Sequence, residues 1–279
     1  MTDSESASAD AFYLPLGTAG DGAERFAPTD WSRSVWSTDM QHGSPPAALL
    51  VRAIERGHPR DGARLSRVTV ELLGPVPMTE CRVRTRVLRP GRNIELIRAD
   101  LDAEFGAGGE IRTVATATAW RMATEDTAAA VRATDAPFDF DAPAVESGFG
   151  YFGSIGATTF LDAVDWRWVS TPDGRVPGRA VTRLKSCVVK GEEPSALERM
   201  FGVVDASNGI GATLDPAHWT FLNTEMTVHI HRVPRGEHLG IEAEASTGPD
   251  GIGMCAAVIH DADGPVARTA QSVLVRPRT

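Results

Sequence analysis

Apolar residues alternate with polar ones through most of this chain, and in only two places does the period lengthen from strand to helix. The first is HGSPPAALLVRAIERG, residues 42–57, where Ala47, Leu50, Val51 and Ile54 fall on one helical stripe. Ser44 is suited to cap that helix and Pro45 to its first turn, where a missing N–H costs nothing. Gly57 is expected to close it in a left-handed conformation. Four stretches with strand periodicity follow: SRVTVELLGPVP, CRVRTRVLRPG, NIELIRADLDAEFG and EIRTVATATAWRM, separated by turn-like PGR and GAGG. One apolar helical face and four antiparallel strands suggest a sheet curled around a helix.

The second helical period is SALERMFGVVDASNG, with Leu197, Phe201 and Val204 on one side. Four more strand-like stretches come after it: HWTFLNTEMTVHIHRVP, EHLGIEAEASTG, IGMCAAVIHDADG and PVARTAQSVLVRP. RVTVELLGPVP and EMTVHIHRVPR align without a gap, Val70 with Val228, and TVATATAW corresponds to TAQSVLVR after a short one. The order predicts a tandem duplication. FYLPLGTAG and ERFAPTDWSRSVWS supply the early strands of the first repeat, LDAVDWRWVS and RAVTRLKSCVV those of the second. Residues 12–124 and 158–279 are thus the expected repeats. The Ala-, Asp- and Pro-rich residues 125–157 form a linker across one face, and residues 1–11 an acidic, frayed tail.

Composition narrows the function. The 279 residues are 42% hydrophobic and 23% charged, as in an ordinary globular chain. A net charge of −9 argues against a nucleic-acid surface. Cys81, Cys187 and Cys255 are scattered and odd in number, which fits a reducing, cytoplasmic setting. Neither a membrane span nor a signal peptide is expected. G-x-S-x-G, Walker A and dinucleotide glycine patterns are missing, and glycine-rich GFGYFG sits in the linker. His229 and His231 share a spacing that could bind metal, but with no third ligand in view they read as a polar sheet face. Trp31, Trp36, Trp166 and Trp168 read as core or interface filler, with Trp36 a candidate border of a substrate pocket.

Four segments, WSTDMQHGSPPAALLVRAI, VVDASNG, FLNTEMTVHIHR and ARTAQSVLVR, in that order and spacing, resemble TesB-like acyl-CoA thioesterases of the thioesterase II family. The resemblance runs from about Phe12 to Arg276. It implies an α+β double hotdog fold and hydrolysis of fatty acyl-CoA without a metal or organic cofactor. It also implies an acyl-CoA partner and leaves a homo-oligomer open. The family's aspartate falls on Asp205, its strand residue on Asn223 and its glutamine on Gln271. Asp205 would activate a water that Asn223 and Gln271 hold in line with the carbonyl. The family commonly has a hydroxyl at the middle position, so a one-residue slip would substitute Thr224. Neighbouring strand residues face opposite ways, and only one of the two reaches the water.

Each residue also has a plainer structural reading: Asp205 as a turn residue, Asn223 as the start of a strand, and Gln271 as a member of a buried polar network. His42 and Gly43 read either as a loop histidine and glycine before a capped helix or, since amides at a helix start attract negative charge, as groups beside the substrate together with Trp36. Two other functions remain open. A hotdog hydratase or dehydratase would need a histidine with its aspartate, and none lies near Asp205 in the sequence. A non-catalytic acyl-CoA-binding protein would not need both Asp205 and Gln271.

Overall fold

A computed structural model describes residues 10–105, 109–150 and 157–278. The acidic residues 1–9 and part of GFGYFG therefore lie outside the described residues. The first repeat holds strands β1 (Ala11–Thr18) and β2 (Glu24–Pro28), helix α1 (Ser44–Gly57), then β3 (Ala63–Leu72), β4 (Cys81–Arg89), β5 (Ile94–Phe105) and β6 (Glu110–Ala123). Ala11, expected to belong to the tail, opens β1, and Phe12 and Tyr13 beside it are fully buried.

The second repeat has β7 (Val164–Ser170), β8 (Gly178–Leu184) and β9 (Cys187–Val189), then helices α2 (Ala196–Val204) and α3 (Ser207–Gly211). It continues with β10 (Trp219–Asn223), β11 (Glu225–Ile230), β12 (His238–Thr247), β13 (Ile252–Asp261) and β14 (Gly264–Pro277). The stretch read as one strand from His218 is two, divided at Thr224, and the second helical period breaks at Asp205.

One sheet joins everything, in the order β7-β8-β12-β13-β14-β11-β3-β6-β5-β4-β2-β1-β9, with β10 on the side of β14. The repeats meet where β11 pairs antiparallel with β3. Thr69 stands opposite Thr227, and their hydroxyls are 3.1 Å apart although 158 positions separate them. Equivalent residues facing each other place a pseudo-twofold axis between these two threonines. Farther from the axis the repeats drift out of the expected alignment. Val70 pairs with Ala117 and Val228 with Thr269, which makes Ala117 the counterpart of Thr269, and the hairpins before β6 and β14 therefore differ in length more than the sequence suggested.

Each half-sheet curves over one long helix. Every residue of α1 from Ser44 to Ile54 is buried, because sheet covers one side and α2 the other. The helices run antiparallel: Gly43 before α1 touches Asp205 after α2, and Arg56 near the end of α1 reaches Glu198 at the start of α2. Arg52, buried inside this layer, is held by Glu24 and Glu192 at 2.9 and 2.6 Å. Gly57 ends α1 without a left-handed conformation. Its lack of a side chain serves packing, since a Cβ there would lie 2.7 Å from Thr85 Oγ1.

Between β6 and β7 the described residues form no strand. Asp135 of this segment pairs with Arg268 and the Phe138 ring covers Gly240, while Phe149 turns inward, packs edge to face on Trp166 and Trp168 and lines the cavity described below. Among the described residues no helix is long and apolar enough to cross a membrane.

Candidate active site

Asp205 is placed by a broken helix. α2 stops at Val204, and Asp205 keeps helical angles as its last cap before the chain turns into α3. That corner sets the carboxylate under the half-sheet at 3% exposure, against the start of α1. Asn223 ends β10, and its Nδ2 donates to Asp205 Oδ1 at 2.6 Å. Gln271 faces the core from β14, where Thr269, Gln271, Val273 and Val275 alternate inward. Its Nε2 donates to the same Oδ1 at 3.3 Å and to the Asp205 carbonyl at 3.2 Å. Three residues distant in sequence thus meet on one carboxylate. Thr224 is exposed, and its amide donates to Ser272 O at 3.0 Å; Asn223 is the one of the pair that reaches Asp205.

The other carboxylate oxygen has a different neighbourhood. Oδ2 lies 3.3 Å from His42 Nδ1. A Cβ on Gly43 would come within 2.5 Å of Oδ2, so only glycine lets the carboxylate sit there. The His42 ring stacks on Phe160 at 3.9 Å with planes 10° apart, which fixes its orientation. Burial lowers the His42 pKa, against the opposing pull of the Asp205 charge, and favours neutral imidazole.

The start of α1 differs from the expectation drawn from HGSPP. Ser44 is the first helical residue rather than the cap, and its buried hydroxyl has no partner. The cap position is Gly43, and the bond a capping side chain would make comes from His42 before it, whose Nδ1 accepts from the Ser44 amide at 3.2 Å. Pro45 and Pro46 have no N–H to offer. Among the described residues the Gly43 amide donates to no acceptor, and it lies at the positive end of a buried helix.

A cavity of about 240 Å³ opens on this corner. Asp205, Asn223, His42 and Gly43 form its polar end, and Val35, Trp36, Leu72, Leu161 and Phe221 line the rest. Trp36 meets Phe221 edge to face at 5.0 Å, and so borders the cavity rather than filling core. Trp168 is core, at 2% exposure. His229 and His231 are exposed and lie away from Asp205, on the far side of the sheet. The contact of His42 with Asp205 was hidden in the sequence, because it depends on the antiparallel pairing of helices from different repeats.

Comparison with known proteins agrees with this architecture. Residues 32–122 match the family described as acyl-CoA thioesterase N-terminal domain, and residues 131–275 the acyl-CoA thioesterase C-terminal domain. The chain belongs to the acyl-CoA thioesterase family, in its TesB-like, double hotdog form, and is a thioester hydrolase. Among solved structures it is similar to acyl-CoA thioesterase II TesB2 from Mycobacterium marinum, at 11% identity and a TM-score of 0.62 over 94% of each chain. It is also similar to a conserved hot dog-fold protein from Alicyclobacillus acidocaldarius, at 15% identity and a TM-score of 0.66 over 92% and 94%. A third is the tesB protein of Mycobacterium avium subs paratuberculosis, at 14% identity and 0.57 over 91% and 93%. No curated protein matches the chain in sequence.

Proposed function

We propose that the protein hydrolyses fatty acyl-CoA to free acid and CoA, with Asp205 as general base toward a water molecule. The observation that carries this is the asymmetry of one carboxylate. Oδ1 is engaged by Asn223 and Gln271, whereas Oδ2 faces the polar end of an apolar cavity. The two amides therefore hold the base, and a water at Oδ2 is within reach of a thioester carbonyl placed over Gly43. The carbonyl oxygen gains charge as water attacks, and the Gly43 N–H is the donor available to it. The acyl chain takes the apolar wall from Trp36 to Phe221. No step requires a metal or an organic cofactor.

The test is release of CoA thiol from acyl-CoA by the purified chain, with a variant series at Asp205. Release that disappears on removing the carboxylate supports the reading, and acyl-CoA binding without release points to a binding protein. A second reading gains support from His42 beside Asp205, the histidine that a hydratase would need. Water addition to an enoyl-CoA, without thiol release, would favour it.

A further inference from the structure

We infer that His42 is a catalytic residue of the hydrolysis, a proton relay that carries the water's proton from Asp205 to the sulfur of the departing thiol; this rests on the reading of Asp205 as general base. Three observations on the two ring nitrogens lead to it. Nδ1 accepts the Ser44 amide and also lies 3.3 Å from Asp205 Oδ2. In the resting tautomer the ring proton is therefore on Nε2. The polar contacts of the ring among the described residues are all at Nδ1, and Nε2 is not shut away, since the side chain keeps 15% exposure and lines the cavity. Finally, the Phe160 stack holds the ring so that it bridges the carboxylate and the cavity.

The proton balance closes without another reactant. Water attacks the carbonyl carbon, the new C–O bond forms, and one water proton goes to Asp205 Oδ2. When the tetrahedral adduct collapses, the C–S bond breaks and its electron pair stays on sulfur. Oδ2 then passes its proton to Nδ1, whose lone pair lets go of the Ser44 amide for that step, while Nε2 gives its own to that sulfur. Free acid and free thiol leave, Asp205 is ionised again, and the neutral ring returns to its first tautomer by exchange with water at the cavity mouth. The sequence HGSPP gains a reason for each residue. Histidine relays, glycine admits the carboxylate and offers an amide, serine pins Nδ1, and the two prolines withhold N–H groups that would compete for the same anion.

Leaving-group dependence tests this. His42→Asn keeps an acceptor where Nδ1 meets the Ser44 amide but has nothing in place of Nε2. The wild type, His42→Asn and Asp205→Asn are compared on an acyl-CoA and on the matching aryl thioester, whose thiolate leaves without a proton. For His42→Asn the loss of kcat on acyl-CoA is expected to be about a hundredfold or more, within the range for general acid catalysis, and no more than about threefold on the aryl ester. Asp205→Asn should slow both. A His42→Asn enzyme that loses equally on both esters, or on neither, overturns the relay alone. An Asp205→Asn enzyme that keeps its rate on both overturns the water-activation reading, and the relay's first transfer with it.

Discussion

The paired helices have two ends related by the pseudo-twofold axis, and we propose that only one carries the chemistry. At one, the start of α1 meets the end of α2, with Gly43 against Asp205. At the other, the start of α2 meets the end of α1, and Ser195 Oγ donates to Glu55 Oε2 at 2.6 Å. Both ends carry a carboxylate beside a helix N-terminus, Asp205 buried and Glu55 half-buried. They differ in what else is present. The Asp205 carboxylate has two amide donors on one oxygen and a cavity on the other side. At the Glu55 end Arg56 pairs with both Glu192 and Glu198, and the helix-capping hydroxyl of Ser195 occupies the Glu55 carboxylate. The strand position equivalent to Gln271 is Ala119, which can donate nothing. One corner has amide donors and open space, and the other is filled by ion pairs.

Substitutions at matched places should widen or erase this contrast. The largest effect belongs to Asp205→Ala, where turnover should fall at least about a hundredfold with the melting temperature nearly kept, as expected for loss of a general base. Full activity in that variant would refute the site. Gly43→Ala comes next: its methyl would displace Asp205 Oδ2, and misplacing a base by an ångström lowers rates by up to about a hundredfold. Steady-state kinetics should show this in kcat more than in KM. Gln271→Ala should slow turnover about tenfold, the lower end for losing a partner that orients a functional group, with a smaller change in acyl-CoA binding. An unchanged rate would remove Gln271 from the site.

At the silent end the same kind of change should affect stability and leave catalysis alone. Ser195 caps α2 by accepting from the Glu198 amide at 3.0 Å. Ser195→Ala should cost about 1 kcal/mol in chemical denaturation, the usual worth of such a cap, at wild-type turnover. The smallest effect is expected from Glu55→Gln. Burial raises the Glu55 pKa, so the folded state holds that proton more tightly than the unfolded chain does. The wild type therefore gains stability at acid pH, below the usual carboxyl range, and loses it as pH rises through the elevated folded value. Gln removes that titration, and its stability should depend less on pH across the same window. An identical pH profile for both proteins would contradict the sign.

The contrast also explains what the sequence could and could not reveal. Both helices, the strand order and the duplication were legible because period and turn residues are local, and Val70 with Val228 marked the repeats correctly. Asp205, Asn223 and Gln271 were named through resemblance, and their convergence on one carboxylate agrees with the order in which the strands pair. The choice between Asn223 and Thr224 needed the register of β10 on β14, which puts a break at Thr224. The cap on α1 was misassigned to Ser44 because a serine before proline is a common signal, whereas a histidine capping from two residues upstream has none. His42 and Asp205 lie in different repeats, and no pattern along either helix could have joined them.

The central claim is that Asp205 takes a proton from water and does not itself attack the thioester. A single-turnover reaction in oxygen-18 water, with the released acid and the protein both analysed by mass, tests it directly. Direct attack by water puts one labelled oxygen into the acid of the first turnover and none into Asp205. Unlabelled first-turnover acid, with the label in the Asp205 carboxylate, would mean a covalent acyl-enzyme and contradict the account.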